Sequence, residues 1–107
     1  MDLKDFMTPP DHVGFLAKRL YGAGGTIGDV AVARLEPDGG GPLTAHTHPH
    51  DHLFVVVQGE VRIVLGGEER RLGENEALLV RGCVPHAVWN RTRETAVMIG
   101  ITVHGAR

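Results

Sequence analysis

The stretch His46-Thr47-His48-Pro49-His50-Asp51-His52 holds four of the chain's seven histidines. Imidazole has an ordinary pKa of about 6.5, and its neutral form is the commonest metal ligand in proteins. Histidines at this density therefore point first to a metal site. A fortuitous polar loop and a purification tag are the plainer readings. A tag sits at a terminus as an unbroken run, whereas this cluster is central and interrupted by Thr47, Pro49 and Asp51. Residues two apart in a strand share a face, so His46 and His48 project together if residues 44–48 are extended. Pro49, His50 and Asp51 then bend the chain. His52 heads the next strand and is expected across from His48 in an antiparallel hairpin, which lets three imidazoles converge. The fourth ligand must come from elsewhere, and His86 leads because it opens a strand after Cys83-Val84-Pro85. His50, at the tip of the bend, reads as a solvated loop residue.

The elements that must hold these residues read as short strands. Residues 1–12 carry Asp2, Asp5 and Asp11, the Thr8-Pro9-Pro10 run and His12, a composition that suits a loosely held arm. The string from Val13 to Tyr21 fits either a short helix or an edge strand, with Gly14 and Gly22 leaning to the strand. Asp29 to Glu36 is rich in β-branched residues and predicts a strand, followed by a loop at Pro37-Asp38-Gly39-Gly40-Gly41. Leu53 to Gln58 is an apolar strand, and Gly59-Glu60 turns it into Val61 to Leu65. Gly66-Gly67 reverses the chain into a polar strand from Glu68 to Leu72. Further strands are expected at Ala77 to Arg81, about His86 to Arg91, and Ala96 to Val103, separated by Gly73-Glu74-Asn75 and Thr92-Arg93-Glu94. No useful helical period appears between residues 26 and 104. About eight short strands with frequent turns predict an all-β barrel or sandwich. Residues 1–25 then form an N-terminal arm and edge segment, and residues 26–107 the barrel.

A chain of 107 residues is one domain, with no room for a separate cofactor domain. Its net charge of -2 gives no electrostatic reason to expect nucleic acid. The apolar runs Leu53 to Val57 and Ala96 to Ile101 are far short of the roughly 20 residues that span a bilayer. The acidic N-terminus lacks the features of a signal peptide, so a soluble, cytoplasmic protein is expected. A lone Cys83 excludes an internal disulfide and is expected to be a buried small hydrophobe. No Ser-His-Asp or Cys-His-Asn arrangement assembles and no phosphate-binding Gly-x-x-x-x-Gly-Lys loop is present, which disfavours hydrolysis by a nucleophilic serine.

Strand parity sorts the remaining candidates. Phe54 and Val56 share the parity of His52, so they either wall a pocket or pack in the core, and packing is the commoner role. Val97, Ile99, Ile101 and Val103 oppose Met98, Gly100, Thr102 and His104, and one of these faces lines the barrel. Val88 follows His86, which turns Trp89 away toward a sheet-packing or subunit contact. Apolar side chains on both faces of Leu53 to Val57 would leave a monomer with an exposed patch, so a homodimer is expected, by sheet packing or by exchange of the N-terminal arm.

Taken together, Gly40-x5-His46-x-His48-x3-His52-x6-Gly59 resembles the first motif of the cupins, G-x5-H-x-H-x3 or x4-E-x6-G, with His52 in place of the usual glutamate. The second cupin motif, G-x5-P-x-G-x2-H-x3-N, is met by His86-x3-Asn90. Gly82 stands one residue too far from His86, Arg81 replaces the proline and Gly73 is displaced by two, so a small shift or bulge near Cys83 is expected. The resemblance covers about residues 29 to 103. It implies a single-domain jelly-roll β-barrel holding one divalent metal ion on His46, His48, His52 and His86. A neutral four-histidine set leaves the full charge of the ion, making it a stronger Lewis acid for anionic oxygen donors and raising its redox potential. Manganese or iron is favoured, and nickel, zinc and copper also accept imidazole. The leading functional expectation is a metal-dependent oxygenase, a dioxygenase in type, acting on a small organic enol, diketone or alkene. The alternatives are a metal-assisted isomerase, cyclase or lyase, which needs a base near the pocket that only His50 or His104 offers, and a non-catalytic small-molecule- or metal-sensing module.

Overall fold

The computed structural model describes residues 2–22 and 25–105. Eight strands follow one another: β1 Val13–Gly22, β2 Ile27–His46, β3 Asp51–Gln58, β4 Glu60–Leu65, β5 Glu68–Gly73, β6 Ala77–Val80, β7 His86–Trp89 and β8 Ala96–Val103. They pair antiparallel in the order β5-β4-β7-β2-β8-β3-β6, with β1 added to β2. The sheet curls into a nearly closed jelly-roll barrel. The turn after β5 reaches β3, where Asn75 N–H donates to Val56 O at 2.8 Å and Val56 N–H to Glu76 O at 3.0 Å. Among the described residues there is no helix, and so none long and apolar enough to cross a membrane.

Two-residue alternation builds the core. Phe54 and Val56 of β3, Val61 and Ile63 of β4, Leu72 of β5 and Met98 of β8 all point inward and are buried with Leu35. Each large apolar side chain removed from water contributes roughly 1.5–3 kcal/mol, enough to hold short strands that have little stability alone. On β8 the inward face carries Met98, Gly100 and Thr102, so the more polar and smaller of its two faces lines the interior.

The glycine-rich run after Glu36 is not a loop. β2 continues through it for 20 residues. Its first half pairs with β1 and β8, and its second half crosses to β7, with Gly40 opposite Trp89 and Gly41 opposite Val88. Close backbone approach explains the composition, since a Cβ on Gly40 would lie 2.2 Å from the Val88 carbonyl oxygen. Glycine here marks a crossing between strands rather than a turn.

Val13–Gly22 is a strand, which settles the helix-or-strand ambiguity. The arm before it is held more firmly than its proline content implies. Met7 bridges Ala17, and Asp11 accepts from Leu43 N–H at 2.9 Å through its carbonyl and from Thr44 N–H at 3.2 Å through Oδ2. Cys83 is exposed, contrary to the expectation that it is buried. The turn closed by Val84 N–H to Arg81 O puts it at the outer tip of the β6–β7 loop.

Candidate metal centre

The end of β2 and the start of β7 meet at the histidines. His46 is the cross-strand partner of His86, and their ring centroids lie 5.1 Å apart. His48 follows as the chain leaves β2, its N–H donating to Gly82 O at 2.9 Å. Two backbone carbonyls then orient the rings. His48 Nδ1–H donates to His50 O and His86 Nδ1–H to Val84 O, each at 2.7 Å. A carbonyl can only accept, so each ring carries a proton on Nδ1 and, when neutral, presents the Nε2 lone pair. Those two Nε2 atoms face one another at 3.1 Å. Two lone pairs at that distance repel unless a proton or a metal ion lies between them. Two imidazole nitrogens each about 2.1 Å from one ion stand about 3 Å apart at a right angle, so the spacing fits a shared metal. The ligand atoms of His46, His48 and His86 all lie within 4.8 Å of one another.

His52 arrives by a different route from the expected hairpin. β2 and β3 are not paired, and His52 lies between Val80 of β6 and Thr102 of β8. Its ring centroid is 4.7 Å from that of His48 and 5.9 Å from that of His86. The ligand atoms of His48, His50 and His52 form a second compact group, and no group among the described residues unites all four expected ligands. His50 is not a solvated tip. Its half-buried ring stacks on His48 with centroids 3.9 Å apart and planes 8° from parallel.

The glycine displaced in the second motif explains how the loops fit. Gly82 N–H donates to the buried Asp51 carboxylate at 2.9 Å, while Gly82 O accepts from His48. A Cβ on Gly82 would sit 1.9 Å from His50 O and 2.3 Å from His48 O, so only glycine lets the β6–β7 loop lie against the histidine bend. Asn90 performs a separate structural task. Fully buried, it donates from Nδ2 to Leu35 O and Glu94 O and accepts at Oδ1 from the N–H and hydroxyl of Thr92.

Electrostatics favour the neutral form of His46, His50, His52 and His86. Burial, then repulsion from His48, His50 and His86, pushes His52 down to about 3. His46 and His50 are lowered by burial and by neighbouring imidazoles. His86 is lowered by burial, partly offset by its bond to Val84. Neutral imidazole is the form that binds metal, so these shifts favour coordination at neutral pH.

His46, His52 and His86 open onto a cavity of about 220 Å³. Ala17, Ala31, Ala33 and Gly100 leave its room, and Phe15, Phe54, Val88 and Met98 make its walls apolar. The sequence reading missed two polar members, His12 and Asp29, and named Thr102 only on one of two faces able to line the barrel. His12 comes from the arm, where Nδ1–H donates to Pro10 O at 2.8 Å and the ring packs on Phe15. Asp29 comes from β2 and Thr102 from β8, with Thr102 Oγ1–H donating to Asp29 Oδ1 at 3.0 Å. Parity carried a signal for Asp29, because it shares a face with the small residues Ala31 and Ala33. No sequence pattern announced His12.

The cupin domain model, Cupin_2, matches residues 31–103. This chain belongs to the cupin family. By sequence, no curated protein matches the cupin significantly. Several solved cupin domains share its fold. The polyketide cyclase RemF from Streptomyces resistomycificus has a TM-score of 0.77 and 19% identity over 91% of this chain and 70% of its own. A Cupin_2 domain of an XRE family transcriptional regulator from Enterobacter cloacae has a TM-score of 0.76 and 22% identity over 89% of this cupin and 100% of that domain. A cupin-superfamily sugar phosphate isomerase from Silicibacter pomeroyi has a TM-score of 0.72 and 22% identity, covering 85% of this chain and 60% of its own. The chain thus spans less than two thirds of the isomerase. At these identities the likenesses establish the fold, and a fold shared by a cyclase, an isomerase and a regulator domain does not choose among activities.

Proposed function

We propose that this cupin is a metal-dependent enzyme acting on a small organic molecule held in the barrel cavity. One divalent ion per chain sits on His46, His48 and His86, with His52 beside it as the fourth histidine of the set; manganese or iron is favoured, and nickel, zinc or copper fits the same donors. The observation that carries this reading is the pair of Nε2 lone pairs held at 3.1 Å by backbone acceptors, beside an apolar cavity. When bound, the ion supplies Lewis-acid polarisation of an oxygen on the substrate. Elemental analysis tests the ligands. Wild-type protein is expected to carry about one equivalent of metal and His86→Ala to lose most of it while keeping its barrel. Full occupancy in His86→Ala overturns the assignment.

The reaction class turns on what else the cavity contains. Asp29 places a carboxylate in the lining, which favours a metal-assisted isomerase, cyclase or lyase, since each begins with a proton transfer. The oxygenase reading rests on the neutral histidine set, which raises the potential of a bound redox metal. Oxygen uptake separates the two: turnover in anaerobic buffer supports proton transfer, and strict dependence on dioxygen supports the oxygenase. A sensing module instead requires a closed four-coordinate site, which X-ray absorption on the loaded protein distinguishes from an open one.

A homodimer completes the proposal. Val30, Ile101, Leu53 and Leu79 form one cross-strand row on the outer face of β2, β8, β3 and β6, with Val32, Ile99 and Val55 in the row beside it. Rows this apolar on a small barrel suit a face covered by a second copy.

A further inference from the structure

We infer that Asp29 is the acid–base residue of this cavity, and that its substrate is an uncharged, single-ring-sized carbonyl compound bearing hydrogen on the carbon next to the carbonyl. The inference rests on the metal-enzyme reading above. Among the described lining residues, Asp29 is the one carboxylate, and the lining also includes the small residues Ala31, Ala33 and Gly100. Thr102, itself 9% exposed, fixes the group by donating to Oδ1. Oδ2 is left for the substrate, because its other partner, Arg19 at 3.8 Å, is a long contact from a side chain that is 70% exposed. Thr102 is the cross-strand partner of His52, so its bond holds the carboxylate toward the histidine end of the cavity.

Size and polarity define the substrate class. A cavity of about 150 Å³ takes benzene, so one of about 220 Å³ takes a six-membered ring with one or two substituents. The apolar walls favour an uncharged ligand, and the histidines call for an oxygen donor on it. In the step assigned to Asp29, the C–H bond beside the carbonyl breaks and its proton goes to Oδ2. The released electron pair forms a carbon–carbon double bond, and the carbonyl π pair moves onto oxygen to give an enolate. Return of the Oδ2 proton to the same carbon regenerates substrate and carboxylate. In an α-hydroxy ketone, passage of the hydroxyl proton to the enolate oxygen and of the Oδ2 proton to the former carbonyl carbon instead completes an isomerisation. No oxidant is consumed.

The test uses zinc-loaded protein, because zinc has no redox chemistry of its own, with 2-hydroxycyclohexanone as the probe in deuterated water. Loss of the signal of the C–H beside the carbonyl is followed by proton NMR. Wild-type protein is expected to exchange this hydrogen faster than free zinc in buffer, and Asp29→Asn to do so about 100-fold more slowly, with zinc content and melting temperature unchanged. Line broadening of the probe by metal-free wild-type protein, abolished in Gly100→Leu, reads cavity binding independently of turnover. Wild-type exchange rates in Asp29→Asn overturn the role of Asp29 and leave the metal-enzyme reading standing. Zinc-loaded wild-type protein that gives no exchange overturns both the proton-transfer reading and this assignment. Loss of zinc from Asp29→Asn makes Asp29 a ligand and overturns its role as a base, and absence of probe binding overturns the substrate class. Wild-type protein that takes up no zinc overturns the metal-enzyme reading itself.

Discussion

Gly82→Ala is the sharpest probe of how this barrel builds its metal centre. An ideal Cβ at this position lies 1.9 Å from His50 O, 2.3 Å from His48 O and 2.7 Å from His48 Nδ1. Ordinary C···O approach begins at about 3.3 Å, so the loops must separate by more than about 1 Å. That movement breaks the Gly82 N–H bond to Asp51 and the His48 N–H bond to Gly82 O, and it displaces the His50 carbonyl that orients His48. A bond to a carboxylate contributes roughly 1.5–3 kcal/mol and a neutral one roughly 0.5–1.5 kcal/mol. The expected loss is therefore about 3 kcal/mol, or a fall of roughly 12–24 °C in melting temperature at about 4–8 °C per kcal/mol. Metal affinity should fall with it, because the His48 ring loses its anchor. Gly67→Ala is the control: a Cβ there meets nothing within 4 Å, and the melting temperature should hold or rise slightly. Differential scanning calorimetry and a metal titration measure both effects. A Gly82→Ala protein that melts within about 3 °C of wild type and keeps its metal would refute the close-packed loop and the reasoning built on it.

Asn90→Asp replaces two buried donors, to Leu35 O and Glu94 O, with acceptors, and should cost roughly 2–5 kcal/mol in urea unfolding without removing the histidines; a loss under about 0.5 kcal/mol would contradict a structural role. The lowered pKa values of His46, His50, His52 and His86 mean that below about pH 6.5 the unfolded chain binds protons that the metal-free fold refuses. Stability is therefore complete above that pH and declines as pH falls, continuing for His52 toward about 3. The decline is at most about 1.4 kcal/mol per pH unit for each histidine held neutral. Melting temperatures of the metal-free protein measured from pH 7.5 down to 5.5 should drop, and a flat or rising profile would count against a neutral cluster. Leu53→Glu in the outer apolar row should halve the mass seen by light scattering; a wild-type mass equal to one chain would remove the dimer proposal.

Alternation in Leu53 to Gln58, Val61 to Leu65 and Ala96 to Val103 was legible in the sequence because a strand with one face in a core repeats every two residues, whatever surrounds it. The histidine spacing was legible for the same reason, since ligands must project from a few adjacent backbone positions; His86 was legible from its place at the head of a strand, and the family resemblance supported it. Tertiary packing decided the rest. Glycine at residues 39–41 signals equally a turn or a close backbone approach, and only the crossing of β2 onto β7 selects the second. The position of His52 between β6 and β8, the stacking of His50 on His48 and the orientation of His48 and His86 through backbone carbonyls depend on strands far apart in the chain. His12, Asp29 and Thr102 reach one cavity from the arm and two different strands. Local periodicity carries no information about such meetings, because it reports which face a side chain takes and not what lies opposite it.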